Sequence, residues 1–159
     1  MKKKMNNKGF SLVELIIVIA IMAVLMVVLA PQLLKYVEKT RLQKDNSAIS
    51  EIANAIKVAC ADEKIINNIP STGVKFETND GEGTVKEFTF SATAATGTTL
   101  LENELASVIG TSVKTSSTSY RDSDVKISIQ VTSDGKVSVV GFIEEVGGTA
   151  TTETNARVF

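Results

Sequence analysis

The chain has 159 residues, with 17 Lys and Arg, 18 Asp and Glu, no His and one Cys. That length holds one small domain and little more. The lack of His removes imidazole acid–base and Cys/His metal chemistry. A single Cys60 rules out a disulfide within the chain, and a net charge of −1, or −5 without Lys2, Lys3, Lys4 and Lys8, gives no support for general nucleic-acid binding.

The first element is a basic leader, residues 1–9, reading MKKKMNNKG, with Lys2, Lys3, Lys4 and Lys8 and no acid. An apolar stretch from Phe10 to Ala30 follows. From Leu15 to Ala30 it has no polar side chain, and its one charge is Glu14. As a helix it is long enough to cross a hydrocarbon core of about 30 Å. The leader lysines predict that the N-terminus stays in the cytoplasm. A carboxylate in such a segment costs about 2.5–3.5 kcal/mol on insertion scales, so Glu14 is a functional candidate whose partner must be found. The run ends Leu29-Ala30-Pro31-Gln32 and offers no small-residue A-x-A-like site for secretory cleavage. The small residue that looks like a processing point is Gly9, ahead of the run.

Lys8-Gly9-Phe10-Ser11-Leu12-Val13-Glu14-Leu15 resembles the class III signal of type IV pilins and their relatives. Pro31 falls where that family usually places a helix-kinking proline. The resemblance reaches to around Ser50, and beyond it there is only general agreement with the pilin plan. It implies that a prepilin peptidase/methyltransferase cuts between Gly9 and Phe10 and methylates the new amine of Phe10. Glu14 would then support methylation and assembly, its carboxylate meeting the Phe10 ammonium of a neighbouring subunit. That pairing is physically apt, because attraction is strongest at low dielectric and offsets a charge otherwise bare in lipid. A subunit at the wrong height would leave the acid unpaired, so the contact also sets register. The resemblance further implies a helical homopolymer, a pilus assembly ATPase and a platform membrane protein. Its expected roles are adhesion, twitching or other surface motility, biofilm formation or DNA uptake. Lys- and Asn-rich usage without a disulfide resembles Gram-positive, clostridial major pilins.

Beyond Pro31 the pattern becomes amphipathic. Ile49, Ile52, Ala53, Ile56, Ala59 and Cys60 recur at steps of three and four and form one apolar stripe. Lys35, Lys39, Arg41, Lys44, Asp45, Glu51 and Lys57 punctuate it. Pro31 either ends the helix or kinks it. The helical look of Gln32 to Glu38 favours a kinked continuous helix over about Phe10 to Ala61, with Cys60 a small buried thiol.

In the remainder, Asn67, Asn68, Pro70, Ser71 and Gly73 mark a loop. Asn79-Asp80-Gly81 reads as a tight turn, and Asp80-Gly81-Glu82-Gly83 as no more than a turn. Val85 to Phe90 alternates as a strand. Leu100 to Ile109 reads as a short helix, capped by Thr98 or Thr99 and ended by Gly110. Ser- and Thr-rich Thr111 to Ser123 predicts an exposed loop. Val125–Val131 and Val137–Ile143 flank the turn Ser133-Asp134-Gly135 and form the strongest hairpin. Gly147 to Phe159 predicts a loose tail, which relatives often tuck onto the sheet. The expected inward residues are Ile52, Phe88, Phe90, Val125, Ile127, Ile129, Val137 and Val139.

The expected fold class is therefore α+β. A long N-terminal helix spans the membrane with its first half and carries a small antiparallel β-sheet head on its second. The domains are 1–9 cleaved leader, 10–30 transmembrane and filament-core helix, 31–62 amphipathic continuation, and 63–159 head. Taking four leader lysines from 17 basic residues leaves 13 against 18 acids, a mature net charge of −5. No catalytic residue, cofactor or metal is expected. Asp122-Ser123-Asp124 has calcium-type oxygens but reads better as a solvated loop. The functional reading is a major pilin, held in the cytoplasmic membrane as a single-pass prepilin and then polymerised outside the cell. Alternatives are a pseudopilin of a type II secretion or competence system, or a minor pilin. From another class comes an uncleaved, membrane-anchored binding protein.

Overall fold

The computed structural model describes residues 9–79, 83–90, 99–146, 149–153 and 157–159. Lys2, Lys3, Lys4 and Lys8 of the leader, the turn residues Asp80, Gly81 and Glu82, and the candidate cap Thr98 lie outside them. The chain is α+β, and it divides into two compact units, Met1–Val37 and Glu38–Phe159.

Helix α1 runs from Leu12 to Ala59. Its first part is apolar all round, and in lipid only a helix or a closed barrel satisfies every backbone group internally. Pro31 lies inside α1. One missing N–H does not end the helix, so the helix end considered at Pro31 is not found there. The helix closes slightly before the expected Ala61. Cys60 N still donates to Ile56 O at 2.9 Å. Asp62 then takes Lys64 N at 2.8 Å, capping a short helix α2, Glu63–Ile66.

In the first unit the large apolar side chains from Phe10 to Leu34 stand exposed in the isolated chain. A window of α1 there has mean hydropathy 3.2 and no buried residue, and the helix is long and apolar enough to cross a membrane.

The second unit holds the head. Four antiparallel strands, β1 (Val74–Glu77), β4 (Ser128–Val131), β5 (Val137–Val140) and β8 (Arg157–Val158), lie in the order β1-β4-β5-β8. Two ribbons accompany them. One pairs β2 (Glu87–Thr89) with β3 (Ser112–Lys114), and the other pairs β6 (Phe142–Val146) with β7 (Thr149–Glu153). Helices α3 (Thr99–Val108) and α4 (Thr118–Arg121) complete the order. One apolar cluster joins Ile49, Ile52, Ala53 and Ile56 of α1 to Phe76, Ile127, Ile129, Val137 and Val139 of the sheet region. Cys60 belongs to this cluster, and burial pushes its thiol pKa up. A thiol in that state is a packing residue.

The predicted hairpin is present, with Val131 opposite Val137 and Gly135 N closing the turn onto Thr132 O at 2.9 Å. The return strand is shorter than expected. Gly141 has φ +83°, and a Cβ there would meet Lys126 O at 2.4 Å. The chain turns at that point from β5 in the main sheet to β6 in a ribbon. Helix α3 and strand β2 fall where they were expected, whereas strand β1 was not anticipated.

Three expectations need correction. Thr111–Ser123 is not an exposed loop. It contains β3 and α4, and Thr115, Ser117 and Tyr120 are buried. The loose tail from Gly147 instead contributes β7 and β8, whose Thr- and Val-containing segments pair with β6 and β5. Val125 is half-buried rather than buried, because β4 begins only at Ser128. The other inward residues named above are buried.

Candidate processing and assembly site

The N-terminal site is built by the start of α1. Gly9 is exposed, and a Cβ placed on it would meet nothing within 4 Å. Phe10 is 89% exposed. Together they present an exposed, non-helical junction just ahead of the helix, where a protease needs accessible backbone.

Ser11 is the residue before α1, and Glu14 is in its first turn. Glu14 Oε2 accepts Ser11 N at 2.8 Å, and Ser11 Oγ accepts Val13 N at 3.4 Å. Leu15 N donates to Ser11 O at 3.3 Å. This is a capping box, in which two backbone donors of the helix start are satisfied by reciprocal side chains. The acid also sits at the positive end of the helix dipole. The S-x-x-E spacing was visible in the sequence, but its capping role was missed there.

Phe10 and Glu14 lie four residues apart. With Leu15, Ile17 and Val18 they line an open groove of about 520 Å³. Glu14 is the one acid in that apolar lining. Pro31 stands apart from this site, further along α1.

A second set of polar residues ties the head to α1. Asp45 is 3% exposed. It accepts Ser116 N on both oxygens at 2.9 and 2.8 Å, Ser116 Oγ at 3.0 Å and Ser117 N at 2.7 Å. The Tyr120 hydroxyl donates to Asn46 Oδ1 at 2.7 Å and accepts Ile143 N at 3.1 Å. Asn46 Nδ2 donates to Ile143 O at 2.8 Å. Glu38 accepts Ser119 N at 3.0 Å. Burial pushes the Glu38 pKa up, but hydrogen bonds from Thr118 and Ser119 outweigh it and leave the group below its ordinary 4.5. These groups position the head rather than perform chemistry. Asp45 was read as punctuation, yet it stands four residues before Ile49 on the buried stripe, a periodicity that would have placed it inward.

Asp122 pairs with Arg121 at 2.8 Å. Among the described residues no three His, Cys, Asp or Glu side chains converge as metal ligands.

An exposed apolar helix with one acid in its first turn fits membrane anchoring. Residues 4–30 match a family model described as the prokaryotic N-terminal methylation motif. This is the class III signal peptide of type IV pilins and pseudopilins. The match supports a type IV pilin-like or pseudopilin precursor and points to a structural protein. It implies processing by a prepilin peptidase and assembly with the type IV machinery. The matched segment ends at Ala30, and no curated protein and no solved structure matches the chain.

Proposed function

We propose that this chain is the precursor of a major pilin. Its leader stays in the cytoplasm, cleavage falls between Gly9 and Phe10, and the amine of Phe10 is methylated. The shortened chain waits in the membrane and then polymerises into a surface filament. An assembly ATPase and a platform membrane protein would drive that transfer, with adhesion, surface motility or biofilm formation as the outcome. The observation that carries this reading is Glu14, the one acid in the exposed apolar stretch from Phe10 to Ala30, four residues after the residue that would become the N-terminus.

Cleavage creates a cation at Phe10 that the precursor lacks. Glu14 Oε2 is occupied by Ser11 N, and the carboxylate's charge remains to attract an ammonium. In the filament core that ammonium comes from a neighbour's Phe10. The exchange of lipid for neighbouring helices is close to neutral for the apolar side chains, so the charge pair selects the register. Pro31, which lacks an N–H, is the place where α1 bends or opens during packing. Replacing Glu14 by Gln tests this, since it keeps the shape and the hydrogen-bond acceptor. The expected result is a chain still cut after Gly9 that accumulates in the membrane without filaments. Wild-type filament yield from Glu14→Gln would contradict the assembly role of this carboxylate. A pseudopilin or minor pilin shares the same start, and is told apart by low abundance and the absence of sheared surface filaments.

A further inference from the structure

Within the second unit, Arg41, Lys44, Ala48, Glu51, Ala55 and Val58 recur along α1 at alternating steps of three and four, so they share one face. Arg41, Lys44, Glu51 and Val58 are exposed on it. The early end of the face is cationic. The late end opens into a groove of about 400 Å³ between α1, α2 and α3. Ala55, Val58, Leu105 and Val108 form its apolar lining, and Asp62 and Glu104 stand at its edge. Val58 is 74% and Val108 66% exposed, more than the other exposed large apolar residues of the head, Val85, Leu100 and Val158. Asp62 uses one oxygen to cap α2. Among the described residues, none of Arg41, Lys44, Asp62 and Glu104 is ion-paired with another.

One face therefore carries cations at one end and an acid-rimmed apolar groove at the other. Two parallel copies at equal height would set like charge against like. A copy displaced along the helix brings its cations onto the other's acids. From Arg41 to Val58 that displacement is about 26 Å at roughly 1.5 Å per residue. We propose that the groove takes the Arg41–Lys44 segment of a second copy of this chain, shifted along α1 by that distance. This rests on the filament reading above and adds a contact between heads. The two patches differ, so the contact is heterologous, and repeating it yields an open polymer rather than a closed dimer. Exposed charge pairs of this kind fix register and partner more than they add strength.

The test is cross-linking in cells that make the full chain. Lys44→Cys and Glu104→Cys are introduced together, both at exposed positions, while Cys60 is buried and does not compete. Sheared filaments are treated with a short bis-maleimide and run on a denaturing gel. The expected result is a ladder of covalent multimers from the double variant and none from either single variant. Lys44→Glu should lower the filament yield, and adding Glu104→Lys should restore it. Filaments of normal yield that give no ladder, or dimers alone, would overturn the contact and leave the filament reading standing. Absence of any sheared filament from wild-type cells would overturn both.

Discussion

Asp45→Ala should destabilise the head by about 2–4 kcal/mol. Asp45 is 3% exposed, and its carboxylate holds Ser116 and Ser117 through their backbone N–H groups. Ser116 is exposed and can turn to water when the acid is gone. Ser117 is 1% exposed, and its N–H would be stranded. A stranded buried donor costs about 1–3 kcal/mol, and the lost hydrogen bond to a charged group is worth about 1.5–3. The two overlap, which gives the stated range. Ser117 is also the N-cap of α4, its side chain accepting Tyr120 N at 3.3 Å, so the loss should spread to that turn. Asp45→Asn keeps one good acceptor and should lose roughly half as much. Urea unfolding of the detergent-solubilised chain, followed by the signal of fully buried Tyr120, reads both values. A midpoint for Asp45→Ala equivalent to less than about 0.5 kcal/mol, the range of an ordinary surface change, would refute the claim that this carboxylate docks the segment.

Two further outcomes follow from the same geometry. Gly141→Ala should cost about 1–3 kcal/mol from its positive φ alone, and more because the new Cβ would meet Lys126 O at 2.4 Å. A Gly141→Ala chain with the wild-type urea midpoint would show that β5 and β6 can join without that conformation. Glu38 has a folded-state pKa below its ordinary 4.5, so its stabilisation is fully present above 4.5 and is lost as pH falls through the lower folded value. The midpoint gap between wild type and Glu38→Gln should therefore be constant above pH 4.5 and close as acidity increases, and a gap that widens on acidification would contradict the sign.

How legible these features were depends on the range of the interactions. The membrane-type helix was plain because Leu15 to Ala30 needs no partner in sequence to declare itself. The β4–β5 hairpin was plain because alternation and a Gly-containing turn are local signals. Thr111–Ser123 was misread because its partners are remote. The contact from Ser116 N to Asp45 spans 71 positions, and nothing in a Ser/Thr-rich run announces that a buried acid waits for it. The tail failed for the same reason, since Arg157 and Val158 become a strand only beside Val139 and Ser138. At the N-terminus the residue types were clear, but the Ser11–Glu14 capping box needed coordinates to show which oxygen meets which donor.

The processing claim is tested most directly by peptide mass spectrometry of the N-terminus in filaments sheared from producing cells. An abundant chain beginning at N-methylated Phe10 in that fraction is the predicted result. An intact leader from Met1 to Gly9 as the only form would contradict it and leave a plain membrane anchor.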